Sequence, residues 1–208
     1  MKILLTRPEG RNERLADAFR AAGHEVVSEP LIAVELLGDE PVDLAGYDWV
    51  IVTSVSGARE LRRRGRGRPA RVAAIGRATA EAFGGADLVP RVSTQEGLLA
   101  ELPRPAGRVL FAGAEGARRL LVDELGADFV PLYRTRELRP DGPLVADVVV
   151  LASPSAARAL AAVAVQIPAI SIGPETTAAA EQSGIRVLRE AATHDLEGLV
   201  EALASARA

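Results

Sequence analysis

Short apolar runs alternate with amphipathic helical patterns along most of the chain. The first run, KILL, precedes a segment in which Leu15, Phe19 and Ala22 recur at helical spacing. The later runs WVIV and VVVL are apolar at every position, which is typical of parallel strands buried on both faces. Strands that alternate with helices predict parallel sheets with helices on both sides. The pattern therefore predicts an α/β protein.

The same order of segments occurs twice. The stretches VAAIGRATAEAFGG and AISIGPETTAAAEQSG each combine a strand, an Ile-Gly pair, a threonine, an alanine-rich helix and a closing glycine. KILLTRPEGRNERLADAF likewise matches RVLFAGAEGARRLLVDEL, WVIVTSVSGAREL matches VVVLASPSAARAL, and STQEGLLAEL matches THDLEGLVEAL. The offsets run from 97 residues, between Gly76 and Gly173, to 106 residues, between Lys2 and Arg108. A period of this length predicts two domains from an internal duplication.

The predicted strand-to-helix turns carry glycines and hydroxyl side chains. Helix starts of this kind present backbone N–H groups and the positive end of the helix dipole, so they can bind anions without a metal. Serine and threonine at these positions are also common helix caps, and capping alone can account for any one of them. The positions are Ser54, Gly76 and Thr79 in the first half and Ser153, Ser155, Gly173 and Thr176 in the second.

Composition removes several kinds of chemistry. The 208 residues include no cysteine, which excludes thiolate catalysis, iron–sulfur clusters and disulfides. Lys2 is the only lysine and begins a strand, so neither a Schiff base nor a P-loop lysine is expected. His24 and His194 are expected to lie outside strand-to-helix turns and are not spaced as metal ligands. We therefore expect no metal and no cofactor.

Charge and hydropathy bear on partners and location. The net charge of −3 favours neither nucleic acid nor an anionic membrane. The basic run RRRGRGRP, which begins at Arg62, predicts a solvated loop. No apolar run approaches the roughly 18 residues of a spanning helix, and MKILLTRPEG does not have the pattern of a signal peptide. The sequence predicts a cytoplasmic protein.

Taken in order, these segments resemble the uroporphyrinogen-III synthase family. The motifs that carry the resemblance are LLTRPEG, PLI, VTS, AIGRATA, GARRLL, VPLYRT, LASPSAARAL and SIGPETTAAA. The resemblance implies two α/β domains built from crossed segments, a two-stranded antiparallel linker and an active-site cleft between the domains. Domain one is expected at residues 1–32 and 139–208, domain two at 40–129, and the linker strands at 33–39 and 130–138.

The resemblance also implies the reaction. The family cyclises hydroxymethylbilane to uroporphyrinogen III, with loss of water and inversion of ring D, and without a cofactor. The expected partner is this small molecule alone, bound by a monomer, with no nucleic acid and no membrane. A transient contact with the deaminase that makes the substrate is left open. The alternative is a non-catalytic two-domain α/β ligand-binding protein, although one Trp and two Tyr are few aromatics for a sugar binder.

Residues carried over from the family complete the expected site. Tyr133, in VPLYRTREL, matches a linker tyrosine that can donate a proton or hydrogen bond to the departing hydroxyl; a tyrosine at a domain seam is the alternative. A phenol with a pKa near ~10 stays protonated at neutral pH. One departure is Ala112-Gly113, where the family commonly has an arginine. The expected substrate-binding residues are Arg7, Ser54, Gly76, Thr79, Arg118, Ser153, Ser155, Gly173 and Thr176.

Overall fold

A computed structural model describes residues 1–163 and 166–206. Residues 164–165 and 207–208, which fall within the range predicted for domain one, lie outside this description. The described strands are β1 (Lys2–Leu5), β2 (Glu25–Ser28), β3 (Ile32–Leu36), β4 (Val42–Asp43), β5 (Trp49–Val52), β6 (Gly65–Arg66), β7 (Arg71–Ala74), β8 (Val109–Ala114), β9 (Asp128–Glu137), β10 (Val148–Leu151), β11 (Ala169–Ser171) and β12 (Val187–Glu190). The described helices are α1 (Glu13–Ala21), α2 (Val55–Arg64), α3 (Arg77–Phe83), α4 (Gln95–Glu101), α5 (Leu120–Leu125), α6 (Pro154–Ala162), α7 (Pro174–Gln182) and α8 (Leu196–Ser205).

The chain divides into two compact units. Unit one comprises Met1–Ala33 and Thr135–Ala208, and unit two comprises Val34–Arg134. The division falls within β3 and within β9, the two strands that contain the extended runs IAVEL and PLYRTRE. Unit one is therefore assembled from both ends of the chain, whereas unit two is one continuous segment.

A parallel sheet forms the centre of unit one. Its strand order is β12-β11-β10-β1-β2, and Ile3 and Leu5 lie opposite Val148 and Val150. From β1 the chain continues outward to β2, whereas from β10 it continues outward in the other direction, through β11 to β12. The order thus reverses between β1 and β10. Ligands of open α/β sheets bind at such a reversal, beyond the carboxyl ends of the strands.

Helices cover both faces of this sheet. Leu4 and Leu151 pack against α6 and α7 on one face. Ile3 and Leu5 pack against α1 and α8 on the other, since side chains alternate between the faces of a strand. Burial on both faces explains why VVVL contains no polar residue.

Unit two repeats this arrangement. Its sheet has the order β3-β9-β8-β5-β7, and the strands from β9 to β7 are parallel. Leu88 adds a parallel bridge to Ala73 beyond β7. Helices α2 and α3 pack on one face, and α4 and α5 on the other. The order reverses between β8 and β5, which correspond to β1 and β10 of unit one. The predicted α/β fold with parallel sheets is confirmed.

The basic run differs from its prediction. Arg62 to Arg64 form the last turn of α2, and Gly65–Arg66 form β6, which pairs in parallel with β4. Arg64 is buried, and its guanidinium donates hydrogen bonds to the carbonyl oxygens of Leu37 and Glu40 at 2.8 Å each. The prediction of a solvated loop is therefore wrong for this residue, because its long side chain ties down the chain that follows β3.

Within residues 1–163 and 166–206, no helix combines the length and the apolar character that crossing a membrane requires.

Candidate active site

Tyr133 and Ser54 meet at the carboxyl-end edge of the unit-two sheet. Ser54 follows β5, and Tyr133 lies in β9 opposite Ala114 at the end of β8. The hydroxyl oxygen of Tyr133 is 2.8 Å from Oγ of Ser54, and either group can donate. Tyr133 is 8% exposed. Because the order of strands reverses between β8 and β5, this pair lies where an α/β sheet places its ligand.

Ser54 has a second role as the N-cap of α2. Its Oγ accepts a hydrogen bond from the backbone N–H of Gly57 at 3.0 Å. The cap fixes the Ser54 side chain, so the serine in turn holds the phenol of Tyr133 in place. Both interpretations of this serine, cap and site residue, are therefore compatible.

Small residues at the end of β8 leave room for the phenol. β8 lies between β9 and β5, so the Tyr133 side chain has to pass over this strand to reach Ser54. Ala112 and Ala114, which share a core cluster with Tyr133, offer little bulk, whereas the Cβ position of Gly113 faces the Phe111 ring. The Ala112-Gly113 departure from the family pattern thus lies beside the Tyr133–Ser54 pair.

Arg118 is held by a carboxylate of the protein itself. Its Nη1 and Nη2 donate to Oε1 and Oε2 of Glu96 at 2.8 and 3.0 Å. Hydrogen bonds from Arg118, the largest cause, lower the pKa of Glu96 to about 2. Nε2 of Gln95 also approaches the Arg118 carbonyl oxygen at 3.4 Å, and Oε1 of this buried glutamine has no hydrogen-bond partner among the described residues. Glu96 lies in the first turn of α4.

Arg7 follows β1 and so lies at the carboxyl-end edge of the unit-one sheet. Its Nη1 donates to the carbonyl oxygen of Arg11 at 2.6 Å. Burial, with a smaller contribution from the charge of Arg11, lowers the pKa of the Arg7 guanidinium. Two buried atoms nearby in sequence, Oγ1 of Thr6 and Oδ1 of Asn12, have no hydrogen-bond partner within residues 1–163 and 166–206. Buried polar atoms are normally paired, so this edge has unused hydrogen-bonding capacity.

Ser153 and Ser155 lie together after β10. Their Oγ atoms are 3.0 Å apart, and Ser153 accepts a hydrogen bond from the N–H of Ala156 at 3.2 Å as the N-cap of α6. Ser153 thus occupies the position in unit one that Ser54 occupies in unit two. In unit one its hydroxyl contacts a second serine, whereas in unit two the partner is a phenol.

The two predicted threonines are buried rather than presented at the surface. Thr79 and Thr176 lie in the first turns of α3 and α7. Their backbone N–H groups donate to the carbonyl oxygens of Gly76 and Gly173, at 3.1 and 3.0 Å. A substrate contact from either threonine stays a prediction.

Gly173 is needed for space rather than for its backbone angle. Its φ is 170°, and that of Gly76 is −166°, both of which any residue can adopt. A Cβ on Gly173 would lie 2.9 and 3.0 Å from Cδ2 and Nε2 of His194. On Gly76 it would meet Oγ of Ser93 at an ordinary 3.5 Å. The backbone angles therefore do not require glycine at either position.

His194 also lies elsewhere than expected. It is in the connection between β12 and α8, which is a strand-to-helix turn. Its imidazole packs over the start of α7. The sequence did not reveal this, because β12 is short and carries Arg189 and Glu190 rather than an apolar run.

Comparison of the sequence with models of known protein families shows which family the chain belongs to. The model of a family described as uroporphyrinogen-III synthase HemD matches residues 13–201. The chain belongs to the uroporphyrinogen-III synthase family. The family resemblance read from the sequence is thus confirmed, and the family consists of enzymes of the lyase-type cyclase class.

Curated relatives agree with this assignment. The chain is 26% identical over 246 aligned positions to the uroporphyrinogen-III synthase of Synechococcus elongatus, which covers 97% of this chain and 93% of that protein. A protein of Archaeoglobus fulgidus that carries the family's name is 32% identical over 99% of both chains. One from Methanocaldococcus jannaschii is 28% identical over 66% of this chain, and that match spans 63% of the archaeal protein.

A solved structure supports the fold. The structure of a mutant uroporphyrinogen III synthase from Thermus thermophilus has a TM-score of 0.66 and covers 100% of this chain and 98% of its own. Its sequence identity is 16%, so this likeness concerns the fold. In this chain the structure brings Ser54 together with Tyr133, Ser153 with Ser155, and Arg118 with Glu96.

Proposed function

We propose that the protein cyclises hydroxymethylbilane to uroporphyrinogen III, with loss of water and inversion of ring D. The observation that carries this proposal is the hydrogen bond between Tyr133 and Ser54 at the strand-order reversal of unit two, in a chain that belongs to the uroporphyrinogen-III synthase family. A protonated phenol held at a defined place can assist the departure of a hydroxyl group.

Tyr133 is the proposed proton donor. The C–O bond at the terminal hydroxymethyl group breaks, the phenol passes its proton to the departing oxygen, and water leaves. The carbon left electron-poor is then attacked by the ring D carbon that already carries the methylene bridge to the neighbouring ring, which gives a spiro intermediate. The bond from that carbon to the bridge breaks, the bridge bonds to the other α-carbon of ring D, and the proton lost from this second carbon restores the phenol of Tyr133. Because Ser54 is fixed as a helix cap, its hydroxyl can keep the phenol oriented throughout. No cofactor takes part in this scheme.

Orientation is the main catalytic task in this proposal. Hydroxymethylbilane is flexible and closes without inversion when it is left alone, so an enzyme has to favour one conformation. The acetate and propionate groups of the substrate need N–H, hydroxyl and guanidinium donors. We assign this binding to Arg7, Ser54, Gly76, Thr79, Arg118, Ser153, Ser155, Gly173 and Thr176.

Five further features belong to the same proposal. An internal duplication is supported by the matching strand orders around β1 and β8, and a linker role for β3 and β9 by the unit boundary within both strands. A cytoplasmic location fits a chain without cysteine. We also propose a monomer that meets the substrate-producing deaminase transiently. Sedimentation of the protein alone and mixed with the deaminase tests these last two features.

Isomer analysis tests the reaction directly. Hydroxymethylbilane is generated from porphobilinogen by a deaminase, this protein is added, and the uroporphyrin isomers are separated after oxidation. We expect isomer III to dominate in proportion to added protein. Isomer I alone, formed at the rate seen without the protein, would contradict the proposal and leave a non-catalytic ligand-binding protein as the alternative.

A further inference from the structure

We infer that Glu96 is an internal ligand of Arg118 that the substrate has to displace, so that this carboxylate sets the affinity of the site for its polycarboxylate ligand. The inference rests on the proposed function, which assigns Arg118 to the binding of a substrate carboxylate. It makes Glu96 a residue that acts through Arg118 and has no direct part in bond making.

The Glu96 carboxylate occupies the position on Arg118 at which a carboxylate of the substrate would bind. Both terminal nitrogens of Arg118 donate to the two oxygens of Glu96, at 2.8 and 3.0 Å. This two-point arrangement is how a guanidinium recognises a carboxylate. An acetate or propionate group of a ligand that approaches the same end of Arg118 meets an oxygen pair already in place. It therefore has to exchange with Glu96.

The location favours such an exchange. Arg118 lies between β8 and α5, and Glu96 lies in the first turn of α4, so both belong to the carboxyl-end edge of the unit-two sheet. The same edge carries Tyr133 and Ser54. Gln95 approaches the Arg118 backbone, which keeps this loop beside α4 when the side chains exchange.

The partial exposure of the pair makes displacement energetically accessible. The Arg118 and Glu96 side chains are 46% and 58% exposed. Ion pairs between side chains this exposed contribute little free energy, and removing one changes an equilibrium constant by about two- to fivefold. The contact between Glu96 and Arg118 is thus strong enough to lower the apparent affinity of Arg118 for a carboxylate ligand. It is weak enough for a ligand that makes further contacts to displace Glu96.

Unit one supplies a matched control. Glu197 occupies the second position of α8, as Glu96 does in α4, and it pairs with Arg14 at 3.7 Å through side chains that are 71% and 83% exposed. This contact is long and involves a single oxygen. Removing the Glu197 charge therefore changes the net charge of the protein by the same amount and leaves the contact between Arg118 and Glu96 intact.

The experiment is a double-mutant cycle on initial rates of isomer III formation at varied hydroxymethylbilane concentrations. The proteins are the wild type, Glu96→Gln, Arg118→Gln, the double variant and Glu197→Gln. We expect KM to fall about two- to fivefold in Glu96→Gln with kcat unchanged. In the Arg118→Gln background the same change should have no effect on KM, and Glu197→Gln should behave as the wild type.

Other outcomes overturn the inference. A KM that rises in Glu96→Gln would show that Glu96 holds Arg118 in its working position instead, and an unchanged KM would show that the pair does not oppose substrate binding. An equal fall in Glu197→Gln, or in the absence of Arg118, would show a general effect of charge. If Glu96→Gln does not fold, Glu96→Asp serves, because its shorter side chain weakens the two-point contact and should lower KM in the same direction. Isomer III from the wild type with an unchanged KM in the variants contradicts only the role of Glu96, whereas no isomer III from the wild type contradicts the proposed function.

Discussion

The hydroxyl of Tyr133 lies 2.8 Å from Oγ of Ser54, although 79 residues separate them in the chain. The sheet order β9-β8-β5 creates this proximity, since only β8 separates the two strands. Adjacent strands are about 4.8 Å apart, so a side chain as long as tyrosine can cross one strand. The small residues at the end of β8 leave space for the tyrosine ring, and Ser54 on the far side of β8 bonds to its hydroxyl.

Replacing Tyr133 by phenylalanine should slow the reaction without unfolding the protein. The change removes the phenolic proton and the hydrogen bond to Ser54 but keeps the ring in the core. We expect the rate of isomer III formation to fall on the order of 10²-fold, the lower end of the range for a positioned acid. The loss of stability should be about 1 kcal/mol.

Tyr47→Phe is the matched control for this variant. Tyr47 is the other tyrosine of the chain, and its hydroxyl donates to Asp128 at the opposite edge of the unit-two sheet. The Tyr47→Phe variant should form isomer III at the rate of the wild type. A Tyr133→Phe enzyme with an unchanged rate would remove Tyr133 from the mechanism.

Ser54→Ala and Ser153→Ala should differ in their effect on stability. Each removes an N-cap hydrogen bond, which is worth about 1 kcal/mol. Ser153→Ala also removes the contact with Ser155, whose half-buried hydroxyl can bond to water instead. Ser54→Ala removes the contact with the Tyr133 hydroxyl, which is buried, and this loss adds roughly 1 kcal/mol. Urea denaturation should therefore give a larger loss for Ser54→Ala, and equal losses would mean that the Tyr133 contact contributes nothing to folding.

Alanine at Gly97 or Gly198 should destabilise the protein, contrary to the usual effect in a helix. Replacing glycine by alanine inside a helix normally stabilises it by about 1 kcal/mol. Here a Cβ would overlap the carbonyl oxygen of Val92 or Thr193, and a backbone oxygen cannot turn aside as a side chain can. We expect thermal denaturation to show losses of about 1–3 kcal/mol. A raised melting temperature in either variant would show that this close approach is wrong.

Alanine at Gly173 should move a side chain rather than unfold the protein. The obstacle there is the ring of His194, an exposed side chain that can turn away. NMR should show shifted ring resonances for His194 and unchanged ones for His24, the only other histidine. Gly76→Ala, which meets Ser93 at 3.5 Å, should leave both rings unaffected. An unmoved His194 ring in Gly173→Ala would contradict the described packing.

Glu96 should contribute to stability above its unfolded pKa and lose that contribution in acid. Arg118 lowers the pKa of Glu96 from 4.5 to about 2, so the folded state binds this proton less readily than the unfolded chain. The contribution is complete above about pH 4.5 and disappears as the pH falls toward 2. Because the pair is half-exposed, it amounts to at most about 1 kcal/mol.

Urea midpoints measured at pH 6 and pH 3 test this dependence. Glu96→Gln should be less stable than the wild type at pH 6, and the difference should shrink at pH 3. A constant difference at the two pH values would mean that the Arg118 contact does not govern the protonation of Glu96.

Much of the fold followed from local patterns in the sequence. Continuous apolar runs predicted β5 and β10, and the serines expected at the starts of two helices, Ser54 and Ser153, cap α2 and α6. These features depend on neighbouring residues, so a sequence contains them directly. Tyr133 and Ser54 were each singled out, but their contact was not, because it depends on which strands are adjacent in the sheet.

Contacts of charged residues were the least predictable. Arg64 was expected in a solvated loop and is buried, because two carbonyl oxygens far from it in sequence receive its guanidinium. Arg118 was expected to meet a substrate carboxylate, and the pairing with Glu96 was not foreseen. Many arginines and acidic residues could pair in this chain, and spacing alone does not select among them.

The discontinuity of unit one has a consequence for synthesis on the ribosome. β1 is made before every other strand that the structure describes, yet one of its two neighbours, β10, begins at Val148. Until then the nascent chain presents β1 and β2 with one edge of β1 unpaired, whereas every strand of the continuous unit two, including all of β9, has already been translated. An unpaired strand edge is open to wrong pairing. The second unit can therefore complete its core while the amino-terminal strand still waits for its partner, so the order of folding is the reverse of the order in which the two units begin.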